Sequence, residues 1–189
     1  MSEPGEQEPL EDEQPAAGEE AAAEAPVADP GLPGVEFFWG VNLFDVETEG
    51  DEKDPEGYRS RGVKIGERIR AEALGASVYD LDPGQSVCPY HYEVGEEEWL
   101  LVLTGAPTLR DENDDEFELK PWDLVFFAEG EEGAHKVTNK TEEPVRIVMF
   151  STKSELALAF YPDSGKVGIF PPGKLFRLES EVDYWDGEV

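Results

Sequence analysis

The chain has 189 residues with 45 acids against 15 bases, a formal net charge of −30. That length fits one domain plus tails. The charge repels phosphate backbones and anionic lipid, which excludes nucleic acid and membrane surfaces as expected partners.

The single cysteine, Cys88, cannot form an intramolecular disulfide and fits a reducing compartment. The N-terminus MSEPGEQEPL shows no basic n-region and no apolar h-region. No apolar run approaches the roughly 18 residues of a membrane span. A soluble, cytoplasmic protein is expected.

Residues 1–33 hold ten acids and no base between Met1 and Gly31, with almost nothing large and apolar. Such a segment cannot bury enough surface to offset its ordering entropy, so a disordered acidic tail is expected. Residues 34–75 are expected to pack on the main body as an N-terminal strand and loop. The strand is VEFFWGVNLFDV, aromatic and β-branched; ETEGDEKDPEGYRSRG, broken by Pro and Gly, is the loop. IGERIRAEALG suits a short helix or a strand, with Gly75 as a helix C-cap. Short strands divided by turn residues follow over 76–152: ASVYDL, EWLLVLTG, PTLRD, EFELK, DLVFFAEG, AHKVTN and PVRIVMFST. This rhythm predicts an all-β antiparallel sandwich or barrel. In EWLLVL both faces are apolar, which predicts a central strand. Residues 153–189, rich in Gly and Pro, are expected to form a mostly irregular C-terminal wrap that lays Phe170, Phe176, Tyr184 and Trp185 on the barrel.

The chemistry concentrates in CPYHYEVGEEEWLLVLTG. On a strand, alternate side chains share a face, so His91 and Glu93 point the same way, about 7 Å apart. Glu98 opens the next strand and reaches the same point if the two strands pair across Val94 to Glu97. His135 lies on a later strand expected to close the site from the opposite sheet. Two imidazoles and two carboxylates suit Mn, Fe, Ni or Zn and lack the thiolates of a structural zinc site. Against this stands a solvated charge run at Glu96 to Glu98 beside a histidine satisfied by hydrogen bonds. Cys88, three residues from His91, is expected on the opposite strand face as a small buried hydrophobe. Arg110 and Arg146 are expected to pair with acids, and YPDSGKVG to form a turn.

The same residues resemble the cupin superfamily, small β-barrels of the jelly-roll type. Its first motif is matched by Gly84, His91-Tyr92-Glu93, Glu98 and Gly105; its second by Gly130, His135 and Asn139. That likeness spans Ser77 to Thr152. A likeness to uncharacterised bacterial single-domain, type-2 cupins also draws on GYRSRG and YPDSGKVG. The resemblance implies a double-stranded β-helix barrel and a divalent metal held by His91, Glu93, Glu98 and His135. Glu93 stands where the family has a second histidine, one extra residue precedes His91, Trp122 and Ala128 replace Gly and Pro, and two extra residues precede His135. Two anionic ligands favour harder ions such as Mn or Fe(II). Without a metal, Glu93 and Glu98 would face each other and one would titrate high.

Two functions follow from the resemblance. One is a metal-dependent enzyme of the dioxygenase, isomerase or decarboxylase class acting on a small polar molecule inside the barrel. The other is a non-catalytic barrel that binds or senses such a molecule, with or without metal. A homodimer, paired through the aromatic N-terminal strand, is compatible with both.

Overall fold

The computed structural model describes residues 40–188. The acidic tail and the first part of the expected N-terminal strand lie outside these residues. Gly40–Val46 forms an isolated bridge and a turn rather than the expected strand. In the turn, Asp45 and Val46 amides donate to the Asn42 carbonyl. The protein is an all-β jelly-roll barrel with 9% helix.

The strands are β1 (Arg61–Lys64), β2 (Leu74–Leu81), β3 (Tyr92–Val94), β4 (Glu98–Thr104), β5 (Thr108–Arg110), β6 (Glu116–Glu118), β7 (Leu124–Phe127), β8 (Lys136–Thr138), β9 (Val145–Thr152), β10 (Ala157–Tyr161), β11 (Lys166–Phe170) and β12 (Lys174–Arg177). They form three antiparallel sheets of order β1-β2-β9-β4-β7, β12-β11-β10-β3 and β6-β5-β8. A single short helix, α1 (Ile65–Arg68), precedes β2. Gly75 therefore sits inside β2 and not at a helix cap. The helix stops at Arg68, and Ala71 N closes the turn by donating to Gly66 O at 2.8 Å.

Period-2 alternation divides the five-stranded sheet into two buried faces. Inward point Leu81 of β2, Leu100 and Val102 of β4, and Val145, Ile147 and Met149 of β9; they pack with Leu109, Leu119, Phe127 and Val137. Outward point Val78, Leu103 and Val148, covered by Val46 and Ile65. With both faces covered, β4 lies between β7 and β9 as its two apolar faces predict. On the outer face Arg146 joins the N-terminal segment to the sheet. It makes a bidentate pair with Asp80 and donates to the carbonyls of Leu43, Phe44 and Val46.

The C-terminal region departs from the irregular wrap. Ala157–Tyr161 pairs with β3 on one side and β11 on the other, so this stretch closes the second sheet. Ala157 and Ala159 face inward and are buried. Phe176, Tyr184 and Trp185 are exposed, Tyr184 by 83%. Their apolar area finds no cover among the described residues. YPDSGKVG is a turn, with Gly165 in the left-handed conformation that glycine accepts without strain.

Candidate metal centre

Backbone pairing positions the two histidines. His91 N donates to His135 O at 3.1 Å and His135 N donates to His91 O at 2.8 Å. They are direct cross-strand partners, so His135 closes the site from beside His91 and not from an opposite sheet. A second bridge joins Ser86 to Thr138. Between the two bridges one strand advances five residues, 86 to 91, and the other three, 135 to 138. The surplus bulges out at 87–90. This breaks the alternation that would have put Cys88 on the far face. Cys88 Sγ instead lies 3.5 Å from His91 Nδ1. Burial pushes its thiol pKa up, so it is a neutral neighbour and not a reactive thiolate.

Each imidazole is oriented by a backbone carbonyl. His91 Nδ1 lies 3.1 Å from Pro89 O, and His135 Nδ1 lies 2.9 Å from Gly133 O. A carbonyl only accepts, so Nδ1 carries the hydrogen and Nε2 keeps its lone pair. The Gly133 position admits no side chain, since a Cβ there would lie 1.8 Å from Ala128 O. The loop is tied further by Gly130 N, which donates to Glu93 O at 2.7 Å. Phe127 stacks on the His135 ring with centroids 3.6 Å apart.

Glu98 arrives by a route different from the expected pairing of its strand with Tyr92–Val94. That strand pairs with β10, whereas β4 pairs with β7 and β9. Glu98 is the cross-strand partner of Phe127, the residue that braces His135. Its Oε2 lies 3.7 Å from His91 Nε2 and 3.5 Å from His135 Nε2. These separations exceed a hydrogen bond. Glu98 Oε2 and His135 Nε2 are both buried without a hydrogen-bond partner.

The electrostatics agree with this geometry. Burial, aided by His91, pushes His135 down to about 3. Burial also lowers His91. Both rings are therefore neutral at neutral pH and cannot pair with Glu98 as cations. Burial and the Glu96 charge raise Glu98 to about 7. Three lone-pair atoms thus converge at one buried point. Such atoms can be satisfied together by a cation. His91, Glu98 and His135 could hold a metal, their ligand atoms all lying within 4.8 Å of one another.

Glu93 lines the same cavity, of about 310 Å³, but stands outside that three-residue cluster. Burial, then the charges of Glu98 and Glu96, raise it to about 8. Both carboxyls are raised, where the sequence led us to expect one. Asn139, the last residue of the second motif, is fully buried and holds a turn. Its Nδ2 donates to Leu81 O and Glu143 O, and its Oδ1 accepts from Thr141. Sequence reasoning missed Glu96 and Tyr161 as parts of the cavity and Phe127 as the ring that braces His135. The offset of 29 residues between Glu98 and Phe127 carries no local signal. Glu96 was hidden in a run of acids.

The fold and the cluster define a cupin-type domain. Residues 77–151 match the family described as "Cupin domain", nearly the span that carried the resemblance. Among solved structures, a candidate sugar phosphate isomerase from Acidithiobacillus ferrooxidans is 23% identical, with a TM-score of 0.66; the match covers 75% of this chain and 91% of that one. A sugar phosphate isomerase from a cupin superfamily, from Silicibacter pomeroyi, is 21% identical at TM-score 0.66, covering 78% and 98%. The polyketide cyclase RemF from Streptomyces resistomycificus is 19% identical at TM-score 0.50, covering 60% and 78%. At these identities the likeness is one of fold. No curated protein matches the chain.

Proposed function

We propose that the cupin domain is a metal-dependent enzyme that holds one divalent ion on His91, Glu98 and His135 and acts on a small polar molecule beside it. The observation that carries this reading is the convergence of two Nε2 atoms and one carboxylate oxygen, two of them, His135 Nε2 and Glu98 Oε2, buried without a hydrogen-bond partner. Three protein donors suit a catalytic ion, which keeps a position for substrate, better than a closed structural site. The ion supplies Lewis acidity when bound. The chain's own residues do the rest. Pro89 O and Gly133 O fix the imidazoles in the ligating tautomer. Phe127 and Met149 exclude water from one side. Glu93, beside the cluster and outside it, accepts a proton or hydrogen bond from the bound molecule.

Mn, Fe, Ni and Zn all accept this donor set. Isomerisation, the activity named for two fold neighbours, belongs to the reactions a Lewis acid with an adjacent carboxylate can serve. A homodimer belongs to the same proposal. Leu124 and Phe126 of the edge strand β7 and Trp99 of β4 beside it, each at least 40% exposed, support it; sedimentation showing a monomer at high concentration would remove it.

The test is elemental analysis of the purified full chain with His91→Ala alongside. About one ion per chain, lost in the variant, is the expected result. No metal after reconstitution with each of the four ions would overturn the proposal and leave a bare barrel that binds a ligand without catalysis.

A further inference from the structure

The cavity beside the cluster has an unusual wall. Three carboxylates line it, Glu93, Glu96 and Glu98, together with the rings of Tyr79 and Tyr161, and no Lys or Arg is part of that lining. Basic groups on neighbouring elements are engaged elsewhere. Arg110 makes a bidentate contact with Asp163, donates to Asp114, and stacks on Tyr90. Lys136 Nζ donates to Tyr58 Oη at 3.1 Å. Lys166 lies over the Tyr161 ring, 5.2 Å from its centroid, and outside the cavity wall. Phosphate esters and carboxylates are ordinarily held by guanidinium, ammonium or helix N-termini. Among the described residues none of these faces this space. The acids alone would not mark a ligand site; the independent sign is His135 Nε2, 2% exposed and without a hydrogen-bond partner, 3.5 Å from Oε2 of Glu98 in the cavity wall.

We infer that the molecule bound here is uncharged or cationic and donates hydrogen bonds through hydroxyl or ammonium groups, and that phosphorylated and carboxylated molecules are excluded. This rests on the proposed metal site for the position of the ligand, but its electrostatic basis is the cavity wall. Glu93 and Glu96 are specificity residues: their carboxyl oxygens accept from the ligand's donors, and their negative charge, wherever they are ionised, repels anions across walls that screen poorly. The cavity volume sets the scale, a molecule of a few heavy atoms beside the ion.

The test uses the full chain loaded with Mn(II), counted by electron paramagnetic resonance, with water-proton relaxation reporting access to the ion. The probes are ethanolamine, which carries a hydroxyl and an ammonium, and methyl phosphate. In the wild type, ethanolamine should alter relaxation at concentrations where methyl phosphate does not. In Glu93→Gln/Glu96→Gln, methyl phosphate should gain about tenfold or more in affinity while ethanolamine weakens. Glu96→Gln alone, which keeps an acceptor for Ser154 N, should move in the same direction and guards against misfolding of the double variant. Equal methyl phosphate binding in wild type and variants, or exclusion from all of them, would overturn the inference, because the carboxylates would not be what selects. Failure of the metal reading is visible separately as absence of bound Mn(II). The probes are then compared by thermal shift on the metal-free proteins. There ethanolamine must stabilise the wild type more than the double variant for the inference to stand.

Discussion

The two ends of the barrel interior are built from the same strands and do opposite things. On the inward face of β4, Val102 and Leu100 are wholly buried among Ile147, Val145 and Leu81, and two residues further along the same face stands Glu98. In another sheet Val137 of β8 belongs to the filled end and His135, just before that strand, to the open one. One step of the strand period separates aliphatic packing from a buried cluster of lone pairs. The filled end fixes where the strands lie; the open end inherits that rigidity without contributing to it. A cluster with two unsatisfied acceptors, Glu98 Oε2 and His135 Nε2, is a cost that only a well-packed remainder can carry.

Breaking the filled end should have the largest effect. Leu100→Ala removes a fully buried side chain and is expected to cost about 3 kcal/mol in urea unfolding, while metal bound per folded molecule stays unchanged. Breaking the open end should do the reverse. His135→Ala should lower metal affinity by more than about 100-fold in equilibrium dialysis, with the metal-free protein close to wild type in stability.

The pH dependence sharpens the contrast. Glu98 and Glu93 are raised to about 7 and about 8, so between pH 6.5 and 8 the folded metal-free protein holds more protons than the unfolded chain. Stability from these groups is full below the ordinary carboxylate range and is lost as pH rises through the folded values. The histidines are lowered and act in the opposite sense below about 6.5, which leaves the window above it to the carboxylates. Metal-free melting temperature should fall from pH 6.5 to 8, and Glu98→Gln should flatten the slope. Metal affinity should rise over the same interval, because the ion competes with those protons.

Two smaller effects lie away from the cluster. Burial would raise Asp80, but its hydrogen bonds from Arg146 and Thr48 prevail and hold it below the usual carboxylate range. Its contribution is present above that range and lost as pH falls through the lowered value. Asp80→Asn should cost about 1 kcal/mol, discounted for partial exposure, and leave metal binding intact. Tyr161→Phe should shift stability by no more than about 0.5 kcal/mol.

Much of this was legible in the sequence. The strands from Ala76 to Thr152 announce themselves by alternation and by Gly and Pro between them, and the spacing of Gly84, His91, Glu98, Gly105, His135 and Asn139 pointed to the barrel. Three things were not legible, each for a physical reason. β10 reads as a short apolar run between charged neighbours, and only its pairing with Tyr92–Val94 makes it a strand. The bulge at 87–90 exists because the partner strand advances fewer residues, a fact of long-range register that no local pattern carries. The position of Glu93, in the cavity but outside the cluster, depends on which strand its own pairs with.

The double backbone bridge between His91 and His135 has a further consequence. Because the spacing of the two rings is set by a strand ladder, a cation held on His91, Glu98 and His135 would meet a site already shaped, and would need no folding step to enter it.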